Sequence, residues 1–392
     1  MNPSSAVKSV GSGTSLYVHV PFCVVKCGYC DFNSYVVEDR SVHDRFLDAL
    51  DAELRATWRG REVVSVFLGG GTPSLLDPDR LRRLLEIVGR HVPLRECAEV
   101  SMEANPESIT LEKAIIAREL GVSRMSMGVQ SFHAHHLKFL DRAHSAERAE
   151  QAFAQLREAG FANLSIDLMF GIPHETCEEW RSDLERALAL GPDHLSCYNL
   201  TFEPGTRLYR DLQRDVVSPN EQEEDRTMFL HTRERLAQAG FSAYEVSNFA
   251  GRGGPCHHND HYWLQGDYVG VGPGASSHRA GVRCTNLKPV EAWANAALAG
   301  LPCAGSAETL RPLQRAAEAV WLGIRRTSGV DLVAIEQRLG MPLLGLFEPI
   351  LASQLEAGWV AFDGRTLRLT PDGLLMADRV GGDFLAVGVA KS

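Results

Sequence analysis

From Leu16 to about Leu200 the sequence repeats one theme six times: a short β-prone run, a polar turn, then a longer stretch of helical periodicity. The runs are Leu16–Val20, Val63–Leu68, Glu99–Ala104, Arg124–Val129, Asn163–Met169 and His194–Leu200. Helical patterns fall between them at about 42–59, 78–90, 111–120, 145–159 and 177–190, with Ser41, Asp77 and Thr110 or nearby polar residues available as caps. Strands that alternate with helices must run parallel, because each helix carries the chain back to the starting end of the sheet. A repeat of about 30 residues suits an open doubly wound sheet or a barrel, and periodicity alone does not choose.

Beyond this core a helix is predicted at about 219–239, followed by Phe241–Phe249, the glycine-rich Gly251–Gly254 and an aromatic, His-rich segment from Cys256 to Ser277. After Ala304 the texture changes: 311–326, 331–340 and 343–357 read as helices, and Val360–Phe362 and Thr366–Leu369 flank Asp363-Gly364, a two-residue hairpin signal. Thr370-Pro371 then opens a last helix. The expected organisation is a flexible N-terminus over 1–14, an α/β core over 15–250, a His/Gly-rich connecting region over 251–304 and a small α+β, winged-helix-like domain over 305–386. With 44% hydrophobic and 23% charged residues the composition is globular, which excludes disorder, collagen and coiled coil. The 50 acidic against 40 basic residues, a net charge of −10, argue against a nucleic-acid partner and against an anionic membrane surface. No apolar run approaches the roughly 18 residues of a membrane span, and the first residues lack a signal pattern, so a cytoplasmic protein without a transmembrane segment is expected.

Nine cysteines in a chain this long are too few and too unevenly placed for a disulfide framework. Cys97, Cys177, Cys197, Cys256, Cys284 and Cys303 are scattered singly, whereas Cys23, Cys27 and Cys30 share the loop after the first strand. Three thiolates at this spacing suit a [4Fe-4S] cluster whose fourth iron has no protein ligand. Zinc wants four ligands, the fourth here being His19 or Asp31. An open iron can chelate the amino and carboxylate groups of S-adenosylmethionine and pass an electron to its sulfonium, which yields a 5'-deoxyadenosyl radical. After the second strand, Gly69-Gly70-Gly71-Thr72-Pro73-Ser74 offers a backbone that a ligand can approach closely, although such a turn is also an ordinary βα connection. Glu103, Gln130 and Asp167 stand at the ends of successive strands, where a barrel builds its site. A buried polar group there needs a partner, either a ligand or a neighbouring helix end. Arg142 suits a carboxylate, and Tyr17 and Tyr29 flank the cysteines, placed to pack on a ligand or as core.

These motifs together resemble the radical S-adenosylmethionine superfamily, whose hallmark is a C-x3-C-x2-C loop after the first strand of a partial (β/α)6 barrel. The resemblance implies such a barrel over 15–250 and a HemN-type C-terminal domain over 305–386. It extends to the coproporphyrinogen III dehydrogenase-like (HemN/HemW) branch through Leu16-Tyr17-Val18-His19-Val20-Pro21-Phe22-Cys23, the glycine motif, Ser101-Met-Glu-Ala-Asn-Pro-Glu107, Ser126-Met-Gly-Val-Gln-Ser-Phe132 and Asp167-Leu-Met-Phe-Gly-Ile-Pro173. By that resemblance Cys23, Cys27 and Cys30 hold the cluster. Tyr17, Gly70, Thr72, Glu103, Gln130, Arg142 and Asp167, with Tyr29 and Gly71 beside them, contact S-adenosylmethionine; no residue is assigned a catalytic role.

The decarboxylating members of the branch carry a fourth cysteine two positions after the third, where this chain has Phe32, and a longer N-terminal arm, whereas 22 residues precede Cys23 here. Both differences resemble the HemW type, a haem-binding and haem-delivering group. Cys256-His-His258-Asn259-Asp-His-Tyr262-Trp263 likewise resembles the C-x-H-N-x-x-Y-W segment of that type. An imidazole at His258 can ligate haem iron while Asn259, Tyr262 and Trp263 orient it and pack on the porphyrin. Cys256, His257 and His261 are rival ligands, and the bland alternative makes His258 and Asn259 a hydrogen-bonded turn with Tyr262 and Trp263 as core anchors. The resemblance thus implies a protein that binds haem, a cluster and S-adenosylmethionine, and serves haem-acceptor proteins with the help of an electron donor. The alternatives are oxidative decarboxylation of coproporphyrinogen III propionates, or a related radical methyltransferase or haem-opening reaction. Acceptor, donor and oligomeric state are not written in the sequence.

Overall fold

The computed structural model describes residues 13–58, 60 and 62–390. The expected N-terminal segment 1–14 lies outside the described residues except for Gly13 and Thr14, and Thr14 already opens the first strand. The chain begins β1 (Thr14–Val20), α1 (Arg40–Thr57), β2 (Val63–Gly70), α2 (Pro78–His91), β3 (Glu99–Ala104), α3 (Leu111–Glu119) and β4 (Arg124–Gln130). It continues α4 (Ala134–Phe139), α5 (Ala146–Glu158), β5 (Asn163–Phe170), α6 (Cys177–Ala189), β6 (His194–Asn199), α7 (Arg207–Leu212) and α8 (Gln222–Gln238). Capping follows local chemistry. Asp77 accepts from the Arg80 N–H ahead of Pro78, and Leu81, Leu84, Leu85 and Val88 then bury one face of α2. At α1 the cap is Asp39, two residues earlier than the expected Ser41, whose N–H it accepts.

Next come β7 (Ser242–Ala243), β8 (Asn248–Ala250), α9 (His257–Trp263), β9 (Asp267–Val271), β10 (Ser276–Arg279), β11 (Val282–Asn286), α10 (Val290–Leu298) and β12 (Ala304–Thr309). The sheet has twelve strands in the order β12-β11-β10-β9-β1-β2-β3-β4-β5-β6-β8-β7. From β1 to β6 each parallel strand adds to the same edge, with no reversal of order. Right-handed crossovers that never reverse put every helix on one face and curl the sheet around the other, which selects the barrel over the doubly wound sheet. The barrel stays open, because its edges are capped by antiparallel strands instead of joining. The His/Gly-rich region is built into this sheet: β9 lies parallel to β1, pairing Leu16 with Val269 and Val18 with Val271.

Side chains along the parallel strands alternate sharply. Leu16, Val18, Val66, Leu68, Val100, Met102, Met125, Met127, Ile166 and Leu195 face the helices and form the main core. The intervening residues Ser65, Glu99, Ser101, Arg124, Ser126, Ser165, His194 and Ser196 are buried and polar. Buried parallel strands usually read as continuous apolar runs, so this polar interior belongs to a site and not to packing alone.

The C-terminal unit contains α11 (Pro312–Ile324), β13 (Val330–Asp331), α12 (Leu332–Leu339), α13 (Leu343–Glu356), β14 (Val360–Phe362), β15 (Thr366–Leu369), α14 (Pro371–Leu375) and α15 (Ala377–Ala390). Its three strands run in the order β13-β15-β14, over a separate core that includes Val320, Ile324, Phe347, Leu367 and Phe384. The two hairpin strands have the expected bounds, but the bend lies one residue later than Asp363-Gly364. Asp363 N–H donates to Thr366 O at 3.4 Å and the Asp363 carboxylate accepts from Arg365 and Thr366, so Gly364 and Arg365 form the bend. Asp260 in α9 pairs with Arg326 at 2.7 Å and joins this unit to the barrel. No helix among the described residues is long and apolar enough to cross a membrane.

Candidate cluster and cofactor site

The C-terminal ends of the parallel strands open into a cavity of about 430 Å³, a size suited to a small-molecule ligand. Cys23, Cys27, Cys30, Tyr29, Gly70, Gly71, Thr72, Glu103, Gln130, Arg142 and Asp167 all line it. Tyr17 does not. It faces a smaller inner chamber of about 200 Å³ that shares Gly70, Glu103 and Asp167 with the outer cavity and is closed by His258, Asn259 and Tyr262.

The cysteine loop is held by the chain around it: Gly28 N–H donates to the Asp141 carboxylate at 2.8 Å, and Leu208 N–H to Gly28 O at 2.8 Å. Arg142 Nη1 lies 3.9 Å from Cys27 Sγ, and the Thr72 hydroxyl 3.8 Å from Cys23 Sγ. Burial pushes the Cys23 thiol up, and the Cys30 thiol up to about 11. A metal centre reverses that by taking the thiolates as ligands. One tetrahedral zinc draws its thiolates to about 3.8 Å apart, whereas a cubane takes each thiolate on a different iron. Three thiolates without a ready fourth donor fit a cluster better than a single zinc with His19 or Asp31, because His19 is engaged, with Tyr17 at 2.9 Å and Asn33 O at 2.9 Å.

The glycine motif is needed for a reason the sequence did not suggest. Gly70 sits at φ +105, and a methyl group there would overlap the His19 ring; one at Gly71 would lie 2.7 Å from the Val20 and Phe22 carbonyls. The glycines thus let β2 pass close to the strand that launches the cysteine loop, and Gly70 N–H is left to donate to Glu103 at 3.0 Å.

Opposite the cysteines, Arg142 Nη2 donates to Asn105 Oδ1 and to Gly128 O, each at 2.7 Å, while Asn105 Nδ2 donates to Thr72 Oγ1 at 3.1 Å. Asn105 is a link that residue-by-residue reading passed over, although it lies two positions beyond Glu103 in the same motif. Asp141 and Arg207, paired at 2.6 Å against the cysteine loop, were also missed; no local pattern announces a contact across so many residues. Gln130 has φ +68 and follows a bulge in the β4–β5 register, an unfavourable backbone state that aims its side chain into the cavity.

Burial raises Asp167, although Ser126 donates to it at 2.9 Å, and raises Glu103 to about 7. The folded chain therefore keeps a proton on Glu103 that the unfolded chain loses above its ordinary value of 4.5. Stability from this group falls as pH rises from about 4.5 through 7, by up to about 3 kcal/mol. Glu103→Gln is expected to flatten the decline seen in denaturant titrations across that window. An identical decline in wild type and variant would assign it to another group.

In the His-rich segment, Glu99 accepts from the His257 N–H at 3.1 Å and from the Cys256 thiol at 3.3 Å, so its carboxylate anchors the start of α9. Burial beside Glu99 pushes the Cys256 thiol up to about 12. His258 is buried, with Nδ1 on the Ser65 hydroxyl and Nε2 on the Tyr262 hydroxyl, both at 2.9 Å, and burial holds its pKa down to about 3. Both ring nitrogens are thus engaged, and His258 and Asn259 stand inside α9 rather than in a turn. His261 Nε2 is likewise engaged, with Asp267 O at 2.8 Å. Trp263 faces the C-terminal unit, its ring beneath the Arg325 guanidinium at 5.2 Å. Asn259 and Tyr262 remain on the wall of the inner chamber.

Residues 17–187 match the Radical SAM superfamily and residues 310–376 the HemN C-terminal domain. The heme chaperone HemW of Bacillus subtilis (strain 168) is 34% identical over 95% of this chain and 99% of its own length. HemW of Mycobacterium tuberculosis (strain ATCC 25618 / H37Rv) is 39% identical over 94% of each chain. The solved structure of coproporphyrinogen III oxidase (HemN) from Escherichia coli superposes with a TM-score of 0.82 at 25% identity, covering 96% of this chain and 91% of that one. With its three cysteines, glycine motif and strand-end polar residues on one cavity, the chain belongs to the HemW family, within the HemN/HemW branch of the radical S-adenosylmethionine superfamily.

Proposed function

We propose that this chain carries a [4Fe-4S] cluster on Cys23, Cys27 and Cys30, binds S-adenosylmethionine in the cavity beside it, and binds haem at the cavity mouth for transfer to acceptor proteins. The observation that carries the haem reading is an apolar rim over a polar floor. Val24, Val25, Phe32 and Tyr198 are exposed by 43%, 43%, 54% and 39%, and all four line the one cavity. Exposed apolar side chains gathered at a cleft mark a binding surface, and a flat macrocycle with an apolar body suits this one. Lys26 and Lys288 line the adjoining depression with Phe32 and supply cations for propionate groups. The names of the relatives support the same reading.

When bound, the cluster supplies one electron to the sulfonium of S-adenosylmethionine, drawn from an external donor. The chain's own part is orientation. Glu103 and Asp167 are placed to accept from hydroxyl and amino groups, and Arg142, fixed between Asn105 and Gly128, presents its remaining charge to a carboxylate. Tyr29, half-buried beside Arg142, walls the cluster side.

The test is an anaerobic haem titration of the full-length, cluster-reconstituted protein, followed at the Soret band. Saturation near one haem per chain is expected, with Phe32→Glu weakening binding about tenfold or more, because a charge replaces an apolar contact at an exposed site that folding does not need. Unaltered affinity in this variant would move haem away from the rim. No saturable binding, with coproporphyrinogen III consumed instead, would turn the reading to oxidative decarboxylation.

A further inference from the structure

On the outer side of the barrel, where β4 turns into α4, lies a group of side chains that the cluster and cofactor cavity does not use. His133 caps α4, His135 and His136 stand in its first turn, and Glu179 projects from the first turn of α6. One ligand atom from each of His133, His135 and Glu179 lies within 4.8 Å of the other two. His135 Nε2 is 3.0 Å from Glu179 Oε1. We propose that His133, His135 and Glu179 form a second metal site, for a zinc ion, that clamps α4 to α6.

Two imidazoles and one carboxylate with an open fourth position are a zinc donor set, and imidazole favours zinc over magnesium or calcium. Zinc at its usual bond lengths places such donors about 3.3 Å apart, so the group must contract by about 1.5 Å at most. His135 is 62% exposed and free to turn inward. Glu179 is already oriented: its Oε2 accepts from the Thr176 N–H and hydroxyl, each at 2.9 Å, which leaves Oε1 for the metal. His133 is held from its Nε2, which meets the Glu179 carbonyl oxygen at 3.2 Å and lies 3.6 Å from the buried Asp183 carboxylate, itself bonded to Ser131 and the Phe132 N–H.

His136 Nε2 is buried, has no hydrogen-bond partner and faces Glu179 Oε2 at 3.6 Å. The His135 and His136 rings stand 4.0 Å apart. The clamp also has a structural consequence, because α4 connects Gln130 to Arg142, both on the wall of the cavity.

The test uses the full-length, cluster-loaded chain freed of loosely held metal on a chelating resin. Zinc is titrated in competition with a chromogenic chelator, and cobalt replaces zinc for spectroscopy. One zinc per chain is expected, with affinity reduced roughly tenfold or more in His135→Ala, whose side chain is exposed and whose metal-free melting should match the wild type. Zinc is expected to raise the melting temperature of the wild type and not of the variant. The cobalt form should lack thiolate charge transfer, which separates this site from the cysteines. Equal zinc affinity in wild type and in the His133→Ala/His135→Ala double variant, or a thiolate band in the cobalt spectrum, would overturn the assignment.

Discussion

Replacing Cys27 by alanine is expected to bring iron and sulfide down to background and abolish the iron–sulfur absorption, while the fold survives. Three thiolates each hold one iron of a site-open cubane; two cannot retain it. The loop does not depend on the sulfur for its shape, since Gly28 N–H is fixed to Asp141 and Gly28 O to Leu208 N–H. Far-UV circular dichroism should therefore match the wild type. The variant also leaves Arg142 Nη1 without the sulfur it faces at 3.9 Å, so S-adenosylmethionine binding should weaken as well. Cys97→Ala, before the start of β3 at the opposite end of the strands, serves as the control and should keep its iron. Wild-type iron content in Cys27→Ala would remove the cluster from this site.

Gly70→Ala is expected to destabilise the chain by roughly 3–5 kcal/mol, as two separate costs coincide. The residue sits at φ +105, where side chains are strained, and the added methyl group meets the His19 ring. That ring cannot retreat cheaply, because the Tyr17 hydroxyl holds one nitrogen and the Asn33 carbonyl the other. Gly240→Ala separates the two costs: its φ is +85 but nothing lies within 4 Å of the new methyl, so only the backbone strain of about 1–2 kcal/mol applies. Denaturant unfolding of the three proteins measures both. Equal losses in Gly70→Ala and Gly240→Ala would show that His19 yields freely and that the glycine motif is not built around it.

Much of the fold was legible because its signals are local. The six core strands sit within a few residues of the runs read from the sequence, and Asp77, Thr110 and Thr370 cap helices as their positions suggested. Such signals depend on residues a few positions apart. The placement of β9 beside β1 could not be read in that way, since it joins segments about 250 residues apart through backbone hydrogen bonds that carry no sequence code. His258 shows the same limit from the side of chemistry. Its motif is visible, but whether the imidazole is free or satisfied depends on Ser65 and Tyr262, and only folding brings Ser65 within 2.9 Å of it.

By itself, then, the sequence determined the repeating βα order, the spacing of three thiols on one loop and the polar residues at successive strand ends, because periodicity, loop length and residue chemistry act over short stretches of chain. Only the tertiary structure decided that the sheet curls in one direction without closing and that the glycines make room for His19. It alone gathered Val24, Val25, Phe32 and Tyr198 around one mouth, and His133, His135 and Glu179 into one cluster. Those outcomes rest on distances between residues far apart in the chain, set by how strands stack and helices pack, and no local pattern of side chains specifies them.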